Sequence, residues 1–144
     1  MKPASTMTIE QLITAIEKLI PVYLANPLDA NGGGNCAVCV VDEAGTFHGK
    51  IWGTDKIRGR RYFNLACTKA SQVWITGMKT GDYEKRLFNG EFEEGDFGIS
   101  KPDLIGWEGG QPLTLKDGTK LFVGFSGFRG TSDLEIAVKA AAGL

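Results

Sequence analysis

The chain of 144 residues has a single histidine, His48, and three cysteines, at positions 36, 39 and 67. One imidazole and one Cys-x-x-Cys pair, with no second pair to complete it, exclude the usual structural zinc sets. No apolar run is long enough to cross a bilayer. Neither sign of charge dominates, since 16 basic residues face 17 acidic ones. That balance removes the global field that nucleic acid or an anionic membrane would select. No internal repeat or low-complexity tract is visible. At the start, Glu10 and Glu17 interrupt the apolar residues and no cleavage site follows, which argues against a secretion signal. The expectation is a cytoplasmic protein with reduced thiols. What remains is one domain over residues 1–144 with ordinary hydrophobic and charged content. Its 20 glycines announce many tight turns.

The pair Cys36-x-x-Cys39 opens "CAVCVVD", a Val-rich apolar run between Gly-rich and "DEAG" segments. Such a run reads as a central strand covered on both faces. A strand alternates faces and rises about 3.3 Å per residue, so these two Cα atoms lie roughly 10 Å apart on opposite faces. A disulfide needs less than about 7 Å. The two thiols therefore cannot bond each other or share a metal, and they read as small buried hydrophobes.

Periodicity assigns the other elements. Ile9, Leu12, Ile13, Ile16, Leu19 and Ile20 form a helical stripe behind a capping box at Thr8 to Gln11, and Pro21 should end or kink that helix. "NPLDANGGGN" is a loop. "TFHGKIWG" alternates as a strand, with Phe47, Gly49 and Ile51 on one face and His48, Lys50 and Trp52 on the other. Residues 59–79 read as a helix with a broad apolar face. Residues 80–111 are Gly-rich with one short helix around "DYEKRLF", a long connection of the kind that is often functional. "QPLTL–KDG–TKLFVGFSG" is a hairpin, and Ser132 to Glu135 is a second capping box before an Ala-rich helix. The order α-β-β-α-β-β-α, with both strand pairs as hairpins, predicts an α+β layered domain: a mostly antiparallel sheet with helices packed on it. A single sheet of this size leaves a face for another subunit to cover, which predicts a homo-oligomer.

Several segments in this order resemble one family. Val41-Asp42 with Gly45, then Asp55, Lys69-Ala70, Gly109-Gly110 with Pro112-Leu113, and Gly124-Phe125-Ser126-Gly127 are similar to the motifs of the GlcG/HbpS-like proteins. That family includes the C-terminal domain of PduO-type corrinoid adenosyltransferases. The resemblance runs over about residues 8–142. It implies a profilin-like subunit assembling into higher oligomers, octamers included, and it makes haem the first ligand to consider. The chain departs from the pattern at "IWGTD", which puts Trp52 near the family's Arg, in the "ANPLDANGGGN" loop and in "TSDLE".

The candidate site residues come from one region of the sequence. His48 could ligate haem iron or move protons, or could be a plain strand histidine. Asp55 and Lys69 match motif positions, either as a structural pair that fixes the loop or as a catalytic couple. Arg58, Arg60 and Arg61 precede a helix and could grip a carboxylate, or form a solvated basic loop. Trp52 and Trp107 could stack on a flat ligand or belong to core and interface. Gly109 and Gly110 would let backbone donors approach a ligand, or simply make a turn. The acidic run Glu91, Glu93, Glu94 and Asp96 reads as a solvated loop, and no metal is expected.

Three functions fit these residues. The first is a small-ligand-binding protein of the GlcG/HbpS-like type. The second is an enzyme of the same fold acting on a small carboxylated or aromatic metabolite by acid/base chemistry. The third is a structural oligomeric subunit.

Overall fold

The computed structural model describes residues 6–144, with side chains from Thr8 onward. Its elements in chain order are α1 (Thr6–Leu24), β1 (Cys36–Asp42), β2 (Phe47–Trp52), α2 (Lys56–Thr76), α3 (Thr80–Phe88), β3 (Gly110–Thr114), β4 (Lys120–Ser126) and α4 (Gly130–Ala142). One turn of 3-10 helix, Ala30–Gly32, lies in the loop after α1. This is the α+β order read from the pattern, with α3 as the short helix inside the long connection.

The four strands form one sheet in the order β2-β1-β4-β3, and every neighbouring pair is antiparallel. β1 is central and buried along its whole length. Its side chains alternate as the strand period demands. Cys36, Val38 and Val40 join Ile9, Leu12, Ile16, Val123, Phe125 and Ile136 in a core between the sheet and the α1/α4 layer. Cys39 and Val41 point the other way, onto Ala66 and Ala70 of α2. Fully burying each large aliphatic side chain is worth about 1.5–3 kcal/mol, so the first core carries most of the fold.

Helices therefore cover both sheet faces, which removes the bare-face argument for assembly. Exposed apolar side chains remain on several elements, among them a group at the outer strand: Phe47 and Ile51 of β2 and Ile57 of α2.

Helix starts differ from the expected caps. α1 is already running at Thr6, so Thr8 lies inside the helix, and the helix continues three residues past Pro21 to Leu24. α4 begins at Gly130, two residues before Ser132. The Ser132 hydroxyl instead donates to Asp29 Oδ2 at 2.8 Å. In both cases a long-range partner or an extra turn prevails over a local capping pattern. α2 begins earlier than expected because Asp55 caps it, accepting from the Ile57 and Arg58 N–H groups at 3.0 and 3.1 Å. It ends at Gly77, whose φ of +72° suits the C-terminal turn.

Two glycines set how closely α2 lies on the sheet. A Cβ on Gly124 would sit 2.1 Å from the Ala66 carbonyl oxygen, and one on Gly110 would sit 3.1 Å from Lys69 Cβ. Only hydrogen fits at these positions, and the close approach brings Lys69 to the end of the sheet.

Candidate functional site

A cleft of about 600 Å³ opens at that end of the sheet. Four segments build it. α2 contributes Tyr62, Leu65 and Lys69, one stripe at spacings of three and four. The turn after β4 contributes Ser126 to Gly130, and α4 adds Asp133 from its first turn. The loop after α1 contributes Leu28, Asp29 and Gly32, and the segment before β3 contributes Gly106, Trp107 and Glu108.

Lys69 is the buried centre of the site. Its side chain is 2 % exposed, and its Nζ donates to the Phe125 carbonyl at 2.8 Å. Asp133 Oδ2 lies 3.6 Å from the same nitrogen. The other carboxylate oxygen of Asp133 accepts from the Phe128 N–H at 2.8 Å. Burial lowers the Lys69 pKa, against the pull of Asp133 and Glu108. Burial also pushes the Asp133 carboxyl up to about 7, with Lys69 and the Phe128 N–H opposing. Desolvation thus outweighs attraction on both members, as expected for an ion pair removed from water.

Gly109 explains the paired glycines of the sequence. Its φ is +122°, and a Cβ there would lie 2.5 Å from the Phe125 oxygen and 2.8 Å from Lys69 Nζ. The missing side chain makes room for the ammonium group. The loop before it is pinned to α2 by a buried amide. Gln72 Nε2 donates to the Ile105 carbonyl at 2.7 Å, and Gln72 Oε1 accepts from the Ile105 N–H at 2.8 Å. Thr80 Oγ1 donates to the Trp107 carbonyl at 2.6 Å, which sets Trp107 at the cleft with its side chain largely exposed.

Asp29 ties the opposite rim together. Buried at 2 % exposure, it accepts from the Arg129 N–H and Nε, both at 3.0 Å, and from Ser132. Burial alone would raise its pKa, but the Arg129 and Ser132 bonds outweigh burial and hold it below the usual carboxylate range.

The sequence candidates separate into two groups. Lys69 and Trp107 line the cleft, and Gly109 and Gly110 abut Lys69. The other six lie elsewhere. Asp55 is occupied as the α2 cap, and the ion partner of Lys69 is Asp133. Arg58, Arg60 and Arg61 are exposed on the first turns of α2 and do not line the cleft. His48 and Trp52 face α1 across the sheet, because strand alternation puts them opposite Gly49 and the α2 layer. There Trp52 Nε1 donates to Glu17 at 2.6 Å, and its ring lies 6.5 Å from that of Phe125. His48 lies beside Glu10, Ile13 and Thr14. Sequence reasoning missed Asp29, Tyr62, Arg129 and Asp133 as site residues. Asp133 read as part of a local cap, and nothing local ties Asp29 to a helix a hundred residues away.

Among the described residues, no group of three or more His, Cys, Asp and Glu side chains could hold a metal, and no helix is long and apolar enough to cross a membrane. The acidic residues of the long loop serve its backbone: Asp96 accepts from the Glu93 N–H and Glu94 from the Lys101 N–H.

Solved structures share this architecture. A double mutant of HbpS from Streptomyces reticuli is 22% identical with a TM-score of 0.67, covering 100% of this chain and 90% of that one. The chain has the GlcG/HbpS-like fold. Klebsiella pneumoniae ORFY, a DUF336 protein, aligns with a TM-score of 0.71 at 17% identity, over 100% of this chain and 94% of its own. PduOC, solved as a haem complex, aligns with a TM-score of 0.68 at 21% identity, over 99% and 96%. No protein-family model and no curated protein matches the chain.

Proposed function

We propose that this protein binds a small, uncharged, partly aromatic organic molecule in the cleft, with Lys69 meeting its polar end. One observation carries this reading: an almost fully buried Lys69–Asp133 pair forms the wall of an open cleft of ligand size. The ammonium has three donors. Phe125 takes one and Asp133 faces a second, which leaves one for a ligand oxygen. Tyr62, Trp107 and Phe128 supply aromatic wall. Lys69 and Arg129 stand against Asp29, Asp133 and Glu108, so the lining favours no anion.

Haem is the ligand named with PduOC. Among the described residues the lining presents no imidazole, thioether or thiol, and His48 is on the far face of the sheet. The lining thus lacks the His, Met and Cys ligands of haem iron and leaves the Tyr62 phenol as the candidate ligand. An organic ligand without iron coordination fits better.

The pair also favours a second reading, an enzyme that moves a proton. A carboxyl near 7 beside a lysine of lowered pKa can exchange a proton near neutral pH. Self-association of the chain is proposed on the exposed Phe47, Ile51 and Ile57 at the outer strand.

The test is an amide-shift titration with neutral aromatic carbonyl compounds such as acetophenone, with benzoate and haem in parallel. Acetophenone should move the resonances of Tyr62, Lys69, Trp107 and Gly109, and haem should show no Soret shift of the ligated kind. Shifts confined to the His48 and Trp52 surface, or a ligated haem spectrum, would overturn the reading. A time-dependent chemical change in the ligand, lost in Asp133→Asn, would favour the enzyme.

A further inference from the structure

The three cysteines are free, Cys36 and Cys39 buried and Cys67 half-buried. Both cross-strand neighbours of Cys39 are glycine, Gly49 on β2 and Gly124 on β4. This Gly-Cys-Gly row makes a shallow saddle across three strands, and α2 lies in it. A Cβ on Gly124 would be 2.8 Å from the Ala70 nitrogen, and one on Gly49 would be 2.4 Å from the Phe63 ring. Ala66 and Ala70 complete the contact, and Cys67 packs against the cluster they form with Cys39 and Val41.

Small residues on both sides bring helix and strand backbones together here. A disulfide needs Cα atoms about 4.4–6.8 Å apart. Layers held apart by full-sized side chains, about 10 Å for stacked sheets, do not reach that separation. At the saddle Cys67 packs against the cluster that holds Cys39, and each thiol is the strongest influence on the other's ionisation.

From this juxtaposition we infer that Cys39 and Cys67 are a thiol–disulfide pair, with Cys67 the entry thiol for a low-molecular-weight disulfide and Cys39 the resolving thiol. Cys67 is the half-exposed member and can be reached from outside. The neighbouring Cys39 thiol favours the Cys67 thiolate, against the effect of burial. In the first step the Cys67 thiolate attacks one sulfur of the small disulfide. A mixed disulfide forms, the original S–S bond breaks, and the leaving thiolate takes up a proton. In the second step Cys39 gives up its proton and its sulfur attacks Cys67 Sγ. The second small thiolate leaves and takes up that proton. Two protein thiols are oxidised and one disulfide is reduced to two thiols. Cys36 takes no part, because it lies in the core on the other face of the sheet. The bond would fasten α2, which carries Lys69 and Tyr62, to the central strand.

The test uses 2-hydroxyethyl disulfide on the native full chain, followed by acid quench, alkylation under denaturing conditions and peptide mass spectrometry. The expected product is a Cys39–Cys67 linked peptide, with Cys36 recovered as a free, alkylated thiol. Cys39→Ala should stop at a mixed disulfide on Cys67, and Cys67→Ser should leave both other thiols unreacted. A wild-type mixed disulfide that persists on Cys67 with Cys39 free would overturn the pairing. So would modification of Cys39 in Cys67→Ser, or no reaction at Cys67.

Discussion

Lys69 and Asp133 face each other across 3.6 Å, one from the middle of α2 and the other from the first turn of α4, and both are almost fully buried. Residues 64 positions apart thus meet at a site that neither helix could form alone.

Breaking this pair on one side should cost more than the pair contributes. Lys69→Met keeps the volume but leaves the Asp133 carboxylate buried without its cation, a change worth about 3–5 kcal/mol. Adding Asp133→Asn should recover part of the loss. Urea denaturation of the wild type and both variants at pH 8 checks this, and equal stability of wild type and Lys69→Met would refute it.

The pair also predicts a pH slope. The Asp133 carboxyl is pushed by burial from its ordinary 3.8 up to about 7 in the fold. Between those values the native state holds more protons than the unfolded one, so this group's contribution to stability falls as pH rises. Lys69, shifted down from 10.5, contributes the opposite slope at higher pH, up to its unfolded value. The difference in unfolding free energy between wild type and Asp133→Asn should therefore shift against the wild type from pH 4 to pH 7. A difference that stays flat across that window would contradict the assignment.

Asp29 should act as the clasp between the loop after α1 and the start of α4. Asp29→Ala removes the acceptor for Ser132 and for the Arg129 N–H and side chain. The Arg129 side chain is 42 % exposed, so its ion pair counts for less than the bonds from the Arg129 N–H and the Ser132 hydroxyl. A loss of about 2 kcal/mol is expected, the scale of a charge-assisted hydrogen bond. Hydrogen exchange at the Arg129 amide should accelerate in the same variant.

Self-association through the outer strand predicts a solution mass above twice 15.5 kDa by light scattering at micromolar concentration. Ile57→Glu, at a residue 77% exposed, should lower that mass without lowering monomer stability. A wild-type mass of 15.5 kDa would end the proposal.

The fold was largely legible in the chain because its signals are local. The unbroken "CAVCVVD" run could only be satisfied with both faces covered, and β1 is buried throughout. Asp117-Gly118 marked the turn of the last hairpin, where the Gly118 N–H donates to the Leu115 carbonyl and the Thr119 N–H to Asp117. The site was legible only in part. Lys69 and the paired glycines stood out by type and spacing, and they do meet. His48 and Trp52 also stood out by type, but one step of strand alternation sends them to the other face.

Residue types and their periods determined the elements, their order and the alternation of β1, since these follow from backbone geometry and from which side chains tolerate water. The tertiary structure alone decided the partners. Lys69 faces Asp133 and not Asp55, Asp29 reaches Arg129 and Ser132, and Cys67 packs against the cluster of Cys39 while Cys36 lies on the other face. Each of these contacts joins separate elements, and its geometry depends on how closely α2 and α4 approach the sheet. That distance is set by glycines whose only effect is to leave space, and empty space carries no periodic signal in a sequence.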